Sequence, residues 1–155
     1  MQHATACSST IPGKVYKFVE RNNYTLPTNM VGYSFCKDFL LIEPNGNITV
    51  LCSHKCTGYA WDGCSPKVNW LDISWGTPDG MLDSTTEKPK TYYASLVHDV
   101  LYQYKHLHGL SRYQCDVLFY RQLQQAQFKP AKLYYLAVRL LGGVFGDWKG
   151  KDRWW

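Results

Sequence analysis

The stretch from residue 91 to 105, TYYASLVHDVLYQYK, most constrains what this chain can fold into. Its apolar residues recur at three- and four-residue steps, which is the spacing of a helix and not of a strand. Lys-Pro-Lys precedes the stretch and Gly109 follows it, and both are signals of helix ends. The predicted helix carries His98 beside Asp99, with Tyr102 one turn after His98. An ionisable pair on an apolar helix is costly unless it is partnered or used.

A second helix is predicted over residues 111–126, and it begins at Ser111, a favourable N-cap residue. The connection from the first helix is short, so we expect the two helices to pack antiparallel. In such a hairpin Asp116 can face back toward His98, which leaves Asp99 to bind a cation. A carboxylate that orients a histidine is the arrangement of a general base, because it fixes the tautomer and stabilises the imidazolium. The alternative is a histidine that is satisfied in the core and has no catalytic task.

The first half of the chain has the spacing of strands. Residues 14–20 alternate apolar and charged positions, which predicts a strand. The apolar runs 39–43 and 48–52 are joined through Asn45-Gly46, the strongest short-range signal of a β-hairpin. The remaining assignments in this half are a loop at residues 22–29, which contains Pro27, and a short strand at residues 68–75.

A third helix is predicted over residues 130–141, with Pro130 in its first turn and Gly142-Gly143 at its end. The patterns together predict an α+β fold, in which a small antiparallel β-sheet in the N-terminal half packs on a three-helix C-terminal unit containing an antiparallel helix hairpin. The length suits a single domain over residues 1–155. Its expected parts are an N-terminal arm (1–13), a β-rich part (14–83), a helical part (91–142) and an aromatic and basic tail (144–155).

Composition and charge limit the partners. The chain has 155 residues, 15% of them aromatic and 19% charged, which is typical of a packed domain and not of a disordered chain. No transmembrane segment is predicted, because no apolar run has the necessary length, and no signal peptide is visible in the first ten residues. Residues 105–155 carry nine Lys and Arg against three Asp and Glu. This surplus suits an anionic surface such as lipid headgroups, with nucleic acid the least favoured partner.

Six cysteines are the candidates for disulfides. The even count permits three bridges. We expect Cys52, Cys56 and Cys64 to take part in disulfides, with Cys115 reaching either this loop or Cys36. A zinc site that uses His54 is the alternative, but a second pair of ligands at short spacing is missing. The expected location is oxidising, either extracellular or associated with a virion. The candidates are Cys7, Cys36, Cys52, Cys56, Cys64 and Cys115.

Four short blocks between residues 57 and 143 combine into one pattern. They are Gly58-Tyr59 with Asp62-Gly63-Cys-Ser65-Pro66, then Ala94-Ser-Leu-Val-His98-Asp99-Val-Leu-Tyr102, then Arg112 with Asp116 and Phe119, and then Ala137-Val-Arg139 running to Gly143. In this order the blocks resemble a family of small phage and bacterial proteins that is known mainly as a domain of unknown function. The resemblance implies a phage protein, and the added cysteines suggest a disulfide-stabilised branch of that family.

The His-Asp-x-x-Tyr helix followed by a helix with Asp also resembles, more distantly, the core of secreted phospholipase A₂. That resemblance implies that His98 is the general base, that Asp116 and Tyr102 support it, and that Asp99 binds calcium. The glycine-rich calcium loop of that family has no clear match here. The segment from Tyr59 to Gly63, which contains Asp62, or residues 76–80 would have to stand in for it. Val97 takes the place of the family's cysteine beside the histidine.

Three functions remain open at this point. The first is a structural component of a phage particle or of another extracellular assembly, built on a phospholipase-A₂-like helical core, with other assembly proteins or an anionic lipid surface as its partner. The second is a calcium-dependent lipid esterase, in which His98 activates water and calcium on Asp99 stabilises the oxyanion. The third is a module that binds anions or polysaccharides through the tail, where Trp148, Trp154 and Trp155 are interleaved with basic residues.

Overall fold

A computed structural model describes residues 16–53, 58–63 and 81–145, with side chains described as far as Leu141. In these ranges the chain forms antiparallel sheets in its first half and three helices in its second half, which confirms the predicted α+β class. The elements are β1 (Phe18–Glu20), β2 (Tyr24–Pro27), β3 (Phe35–Lys37), β4 (Leu40–Ile42), β5 (Asn47–Val50), β6 (Tyr59–Trp61), α1 (Tyr92–Gln103), α2 (Arg112–Gln125) and α3 (Ala131–Phe145).

The strands form two sheets where the sequence predicted one. A four-stranded sheet has the order β2-β5-β4-β3, and β1 pairs with β6 in a two-stranded sheet. The predicted loop at residues 22–29 was wrong, because it contains β2, whose Pro27 ends the strand opposite Asn47. Proline is tolerated at such a strand end, so it is a weaker sign of a loop than the sequence suggested. Both β3 and β6 were missed because three-residue strands carry too little alternation to be recognised.

The predicted hairpin of β4 and β5 is confirmed, and its turn lies at Asn45-Gly46. The Gly46 amide donates to the Glu43 carbonyl at 2.9 Å, and the Glu43 amide donates to the Asn47 carbonyl at 2.9 Å. Gly46 has a φ of 95°, and a Cβ there would collide with the Thr28 carbonyl. Glycine is therefore required both by the backbone conformation of the turn and by its close contact with the end of β2.

The backbone separates into two compact units. One unit holds the described residues up to Asp62 together with Asp99–Leu110. The other unit holds Gly63, residues 81–98 and the described residues from Ser111 onward. In the first unit the Phe39 and Tyr59 rings meet edge to face, with centroids 5.3 Å apart. The second unit has an apolar cluster contributed by all three helices and by the connection from α2 to α3. Its buried members are Ala94, Phe119, Leu123, Phe128, Ala131 and Tyr134.

The helix boundaries follow the predicted signals with one exception. Ser111 caps α2 as predicted: its hydroxyl accepts from the Gln114 amide at 3.2 Å, while the Gln114 side chain accepts from the Ser111 amide at 2.8 Å. The predicted end of α3 at Gly142-Gly143 was wrong, since the helix continues to Phe145. A glycine inside a helix costs only about 1 kcal/mol, so two of them need not end it.

The described residues bear only in part on the membrane, domain and disulfide predictions. None of the described helices has the length and apolarity that a membrane crossing requires. The expected single domain and the disulfides stay predictions. Cys36 is exposed and Cys115 is buried, and the structure pairs neither with another described cysteine. The undescribed segments contain the predicted N-terminal arm, the predicted strand at 68–75, residues 76–80, most of the predicted tail, and His54, Cys7, Cys56 and Cys64.

A buried histidine, His108, lies in the connection between α1 and α2 and is 3% exposed. Its Nε2 donates to the Leu101 carbonyl at 2.8 Å, and its Nδ1 accepts from the Leu110 amide at 3.1 Å. These partners fix the neutral tautomer, because a proton on Nδ1 would remove the acceptor of the Leu110 amide. Burial lowers the pKa of His108 from its ordinary value, although the bond to Leu101 opposes the shift.

We predict that the free energy of unfolding falls as the pH is lowered through the range below about 6.5, the ordinary histidine pKa. The unfolded chain binds a proton at His108 more readily than the folded chain does, so acid favours unfolding in this range. Urea denaturation at a series of pH values measures the effect. The variant His108→Gln should lose this part of the pH dependence, whereas His106→Gln, at an exposed position, should keep it. An unchanged pH profile in His108→Gln would contradict the assignment.

Candidate functional site

The candidate site is built around Asp116 on α2, whose side chain is fully buried at 0% exposure. Its Oδ1 accepts a hydrogen bond from Nε2 of His98 on α1 at 2.8 Å. Its Oδ2 accepts from Nη1 of Arg139 on α3 at 2.9 Å. The structure therefore brings His98 and Asp116 together as the sequence predicted, and one carboxylate joins all three helices.

A second guanidinium, that of Arg112, reaches the same carboxylate. Arg112 lies one helical turn before Asp116, and its Nε is 3.6 Å from Oδ2. Its Nη2 donates to the carbonyls of Val138, at 3.3 Å, and of Arg139. Arg112 thus connects α2 to the backbone of α3 while it also contributes positive charge beside Asp116. We call His98, Arg112, Asp116 and Arg139 the Asp116 network.

The neighbouring side chains hold the network in place. The His98 ring packs on the Phe119 ring with centroids 4.8 Å apart, and the His98 side chain is 14% exposed. The Arg139 guanidinium lies 5.6 Å from the centre of the Tyr113 ring. An ionised carboxylate only accepts hydrogen bonds, so the contact with Asp116 places a proton on His98 Nε2.

Cys115, next to Asp116 in the sequence, is unsuited to nucleophilic chemistry. Its side chain is fully buried, and burial raises the pKa of the thiol well above its usual range, with the charge of Asp116 adding to the effect. The reactive form of cysteine is the thiolate, which this environment disfavours. Cys115 therefore acts as a small apolar side chain in the core.

Asp99, the predicted cation ligand, accepts a hydrogen bond from the Tyr59 hydroxyl at 2.6 Å. The same hydroxyl lies 2.9 Å from Oε1 of Gln103. A phenol has one proton, and the shorter distance assigns it to Asp99, whose carboxylate is the stronger acceptor. Burial and the Asp99 charge raise the pKa of Tyr59 well above its ordinary value, so this proton stays on the phenol.

Two other predicted residues, Tyr102 and Asp62, belong to the first compact unit. Tyr102 is half-buried near the end of α1, and Asp62 is half-buried directly after β6. Within residues 16–53, 58–63 and 81–145, no three His, Cys, Asp or Glu residues form a group that could hold a metal ion. Calcium binding by Asp99 and Asp62 stays a prediction. The roles of His98, Asp116 and Tyr102 in catalysis stay predictions as well.

Sequence reasoning missed the two arginines as members of the site. Arg112 precedes Asp116 by four residues, which places both on one helix face, so its spacing was a usable signal. Arg139 belongs to the Ala-Val-Arg block of the family pattern, but it is far from Asp116 in sequence. Only the packing of α3 against α2 brings it to the carboxylate.

Comparisons of the chain with protein-family models, with curated proteins and with solved structures found no match.

We predict that Asp116→Asn lowers the free energy of unfolding by about 3–5 kcal/mol, because it leaves two buried guanidiniums without their counter-charge. Urea denaturation of the wild type and the variant measures the difference. The matched control is Asp83→Asn. Asp83 is half-buried at the start of a turn, where its Oδ1 accepts from the amides of Thr85 and Thr86, and an asparagine oxygen can replace it. The control should change stability far less. A loss below about 1 kcal/mol in Asp116→Asn would contradict a stabilising network.

Proposed function

We propose that this chain is a non-catalytic component of a phage particle or of another extracellular assembly, in which the Asp116 network stabilises three helices. The observation that carries the proposal is the sharing of one fully buried carboxylate by His98, Arg139 and Arg112. Every member lies on a different helix or reaches the backbone of a neighbouring helix. Such a network favours one packing of the helices over others.

The charges in the network support a structural role over a catalytic one. A general base holds an extra proton in the transition state, and its carboxylate partner has to stabilise that positive charge. At Asp116 two guanidiniums already share the carboxylate, with contacts of 2.9 Å and 3.6 Å. A protonated His98 would be a third positive charge around a single negative one. The two guanidiniums therefore leave less of the Asp116 charge for an imidazolium than a simple pair of one histidine and one carboxylate would.

The burial of the network is consistent with the same role. Asp116 has no exposed surface, and Arg112 and Arg139 have side-chain exposures of 5% and 10%. Removing one member of a buried charged cluster is strongly destabilising, because the remaining charges lose their compensation. A protein that has to keep its shape within a larger particle gains from this kind of fixed packing.

The second candidate is a calcium-dependent lipid esterase. The hydrogen bond of 2.8 Å between His98 Nε2 and Asp116 favours it, since this is the geometry of a general base with its supporting carboxylate. The other ring nitrogen, Nδ1, would then take the proton of an attacking water. Asp99 and Asp62 would hold calcium, which would polarise the ester carbonyl when bound. The engagement of Asp99 by Tyr59 weighs against this candidate.

The variant His98→Gln separates the two candidates, because glutamine keeps approximate size and a hydrogen-bond donor but removes the base. If the chain is structural, the wild type hydrolyses no phosphatidylglycerol vesicles with or without calcium. The variant then loses roughly 1–3 kcal/mol of stability through its disturbed network. The control His106→Gln, the same change at an exposed position, should leave stability nearly unchanged. Lipid release and thermal denaturation are the two measurements.

Calcium-dependent hydrolysis by the wild type would overturn the structural proposal. In that case His98→Gln should reduce the rate by about two to four orders of magnitude. Stabilisation of the wild type by calcium, reversed by a chelator, would point in the same direction.

A further inference from the structure

The connection between α1 and α2 has long backbone hydrogen bonds. The Lys105 amide lies 3.4 Å from the Tyr102 carbonyl. The His108 amide lies 3.4 Å from the Tyr104 carbonyl, and the Leu107 amide makes a shorter bond of 2.9 Å to that same carbonyl. Since hydrogen bonds weaken as they lengthen, the side chain of His108 becomes important for holding the connection.

The imidazole of His108 makes two shorter bonds, one toward each side of the connection. Its Nε2 donates at 2.8 Å to the carbonyl of Leu101, which lies in the last turn of α1. Its Nδ1 accepts at 3.1 Å from the amide of Leu110, the residue directly before the N-cap Ser111. Carbonyls in the last turn of a helix have to find donors outside the helix. One side chain therefore joins the end of α1 to the last residue of the connection.

Protonation of His108 affects these two bonds differently. Nε2 carries a proton in both forms, so its bond to Leu101 persists, and positive charge near the C-terminal end of a helix is favourable. Nδ1 gains a proton and changes from an acceptor to a donor. It then faces the amide of Leu110, which is also a donor. The bond to Leu110 is lost, and two buried donors oppose each other.

Aromatic side chains surround His108. The Phe35 ring of β3 meets the imidazole edge to face, with centroids 6.2 Å apart, and the Tyr104 ring of α1 packs on Phe35 at 5.9 Å. Burial raises the pKa of Tyr104, and the charge of Asp38 adds to the effect, so this phenol stays neutral in the range where histidines titrate.

The connection itself carries further titratable groups beside His108. Lys105 is half-buried and His106 is exposed. Tyr33, from the loop before β3, lies beside the backbone of Gly109. Burial lowers the pKa of His108 itself, so the closed connection takes up a proton less readily than an open one does.

We propose that His108 is a pH-sensitive switch that keeps residues 104–110 closed when it is neutral and lets them open when it is protonated. The strands of the same unit stay folded during this opening. Leu110 is 2% exposed in the closed connection, and opening exposes it. The chain thus presents an additional apolar side chain in acid. This switch is independent of the proposed assembly function.

Native-state hydrogen exchange of the wild type, followed by NMR at pH 7.5 and 5.5, tests the switch. After correction for intrinsic exchange, the protection of the Leu110 amide should fall by about three- to tenfold at the lower pH. The reason is that the open connection binds a proton near the ordinary histidine pKa of about 6.5, whereas the closed one does so at lower pH.

Local opening is distinguished from global unfolding by dilute urea. The protection of the Leu110 amide should be nearly unchanged by urea, because a local opening exposes little surface. The reference is the Leu51 amide of the same unit, which donates to the Phe39 carbonyl at 2.8 Å. Leu51 should exchange at least tenfold more slowly than Leu110 at both pH values.

The variant His108→Gln keeps a donor and an acceptor on one side chain but does not titrate. Its Leu110 amide should show the same protection at both pH values. The control His106→Gln, the same change at an exposed position, should respond to pH like the wild type.

The wild type alone decides the question if His108→Gln does not fold. The ¹⁵N shifts of its His108 ring should show the Nε2–H tautomer at pH 7.5. The ring of His108 and the amide of Leu110 should then titrate with one common midpoint.

Three results would overturn the switch. One is protection of the Leu110 amide that ignores pH in the wild type, or that falls equally in a folded His108→Gln. Another is the Nδ1–H tautomer at pH 7.5. The third is equal sensitivity of the Leu110 and Leu51 amides to urea, because acid would then act by unfolding the whole unit.

Discussion

The helical unit depends on the ion pairs and the hydrogen bonds of the buried Asp116 carboxylate. A carboxylate without exposed surface is stable as an anion only if positive charge and hydrogen-bond donors surround it. His98 supplies a donor at 2.8 Å from α1, Arg139 supplies a guanidinium at 2.9 Å from α3, and Arg112 adds charge from α2 itself. The three helices must therefore be assembled together, because each carries a group that the others need.

Much of this arrangement could be predicted from the sequence, and what could not has identifiable reasons. Helical spacing predicted all three helices, and the short connection between α1 and α2 predicted the meeting of His98 with Asp116. The contribution of Arg139 depends on how α3 packs, which local spacing does not determine. In the sheets, the hairpin of β4 and β5 was predicted because its apolar runs and its Asn-Gly turn are clear signals. The strand β2 was missed because its Pro27 resembles a loop residue, and β3 and β6 were missed because they are only three residues long.

The same residue types fit both a hydrolase and a structural protein, and the proposed structural role rests on the number of cations around the carboxylate. A histidine with a carboxylate at 2.8 Å would satisfy either function. Two additional guanidiniums favour the structural role, because they already compensate the negative charge of Asp116 that an imidazolium would need. The Asp116 network holds α3 through Arg139. Such fixed packing is consistent with the proposed structural role.

Native-state hydrogen exchange of Asp116→Asn tests most directly whether one carboxylate holds three helices. If it does, the slowly exchanging amides of α2, of α3 and of residues 92–98 in α1 lose protection together and by similar factors, because all of them open when the network fails. The strands β4 and β5, which contain no member of the network, should keep more of their protection. Loss of protection confined to α2, with α1 and α3 unchanged, would contradict this account.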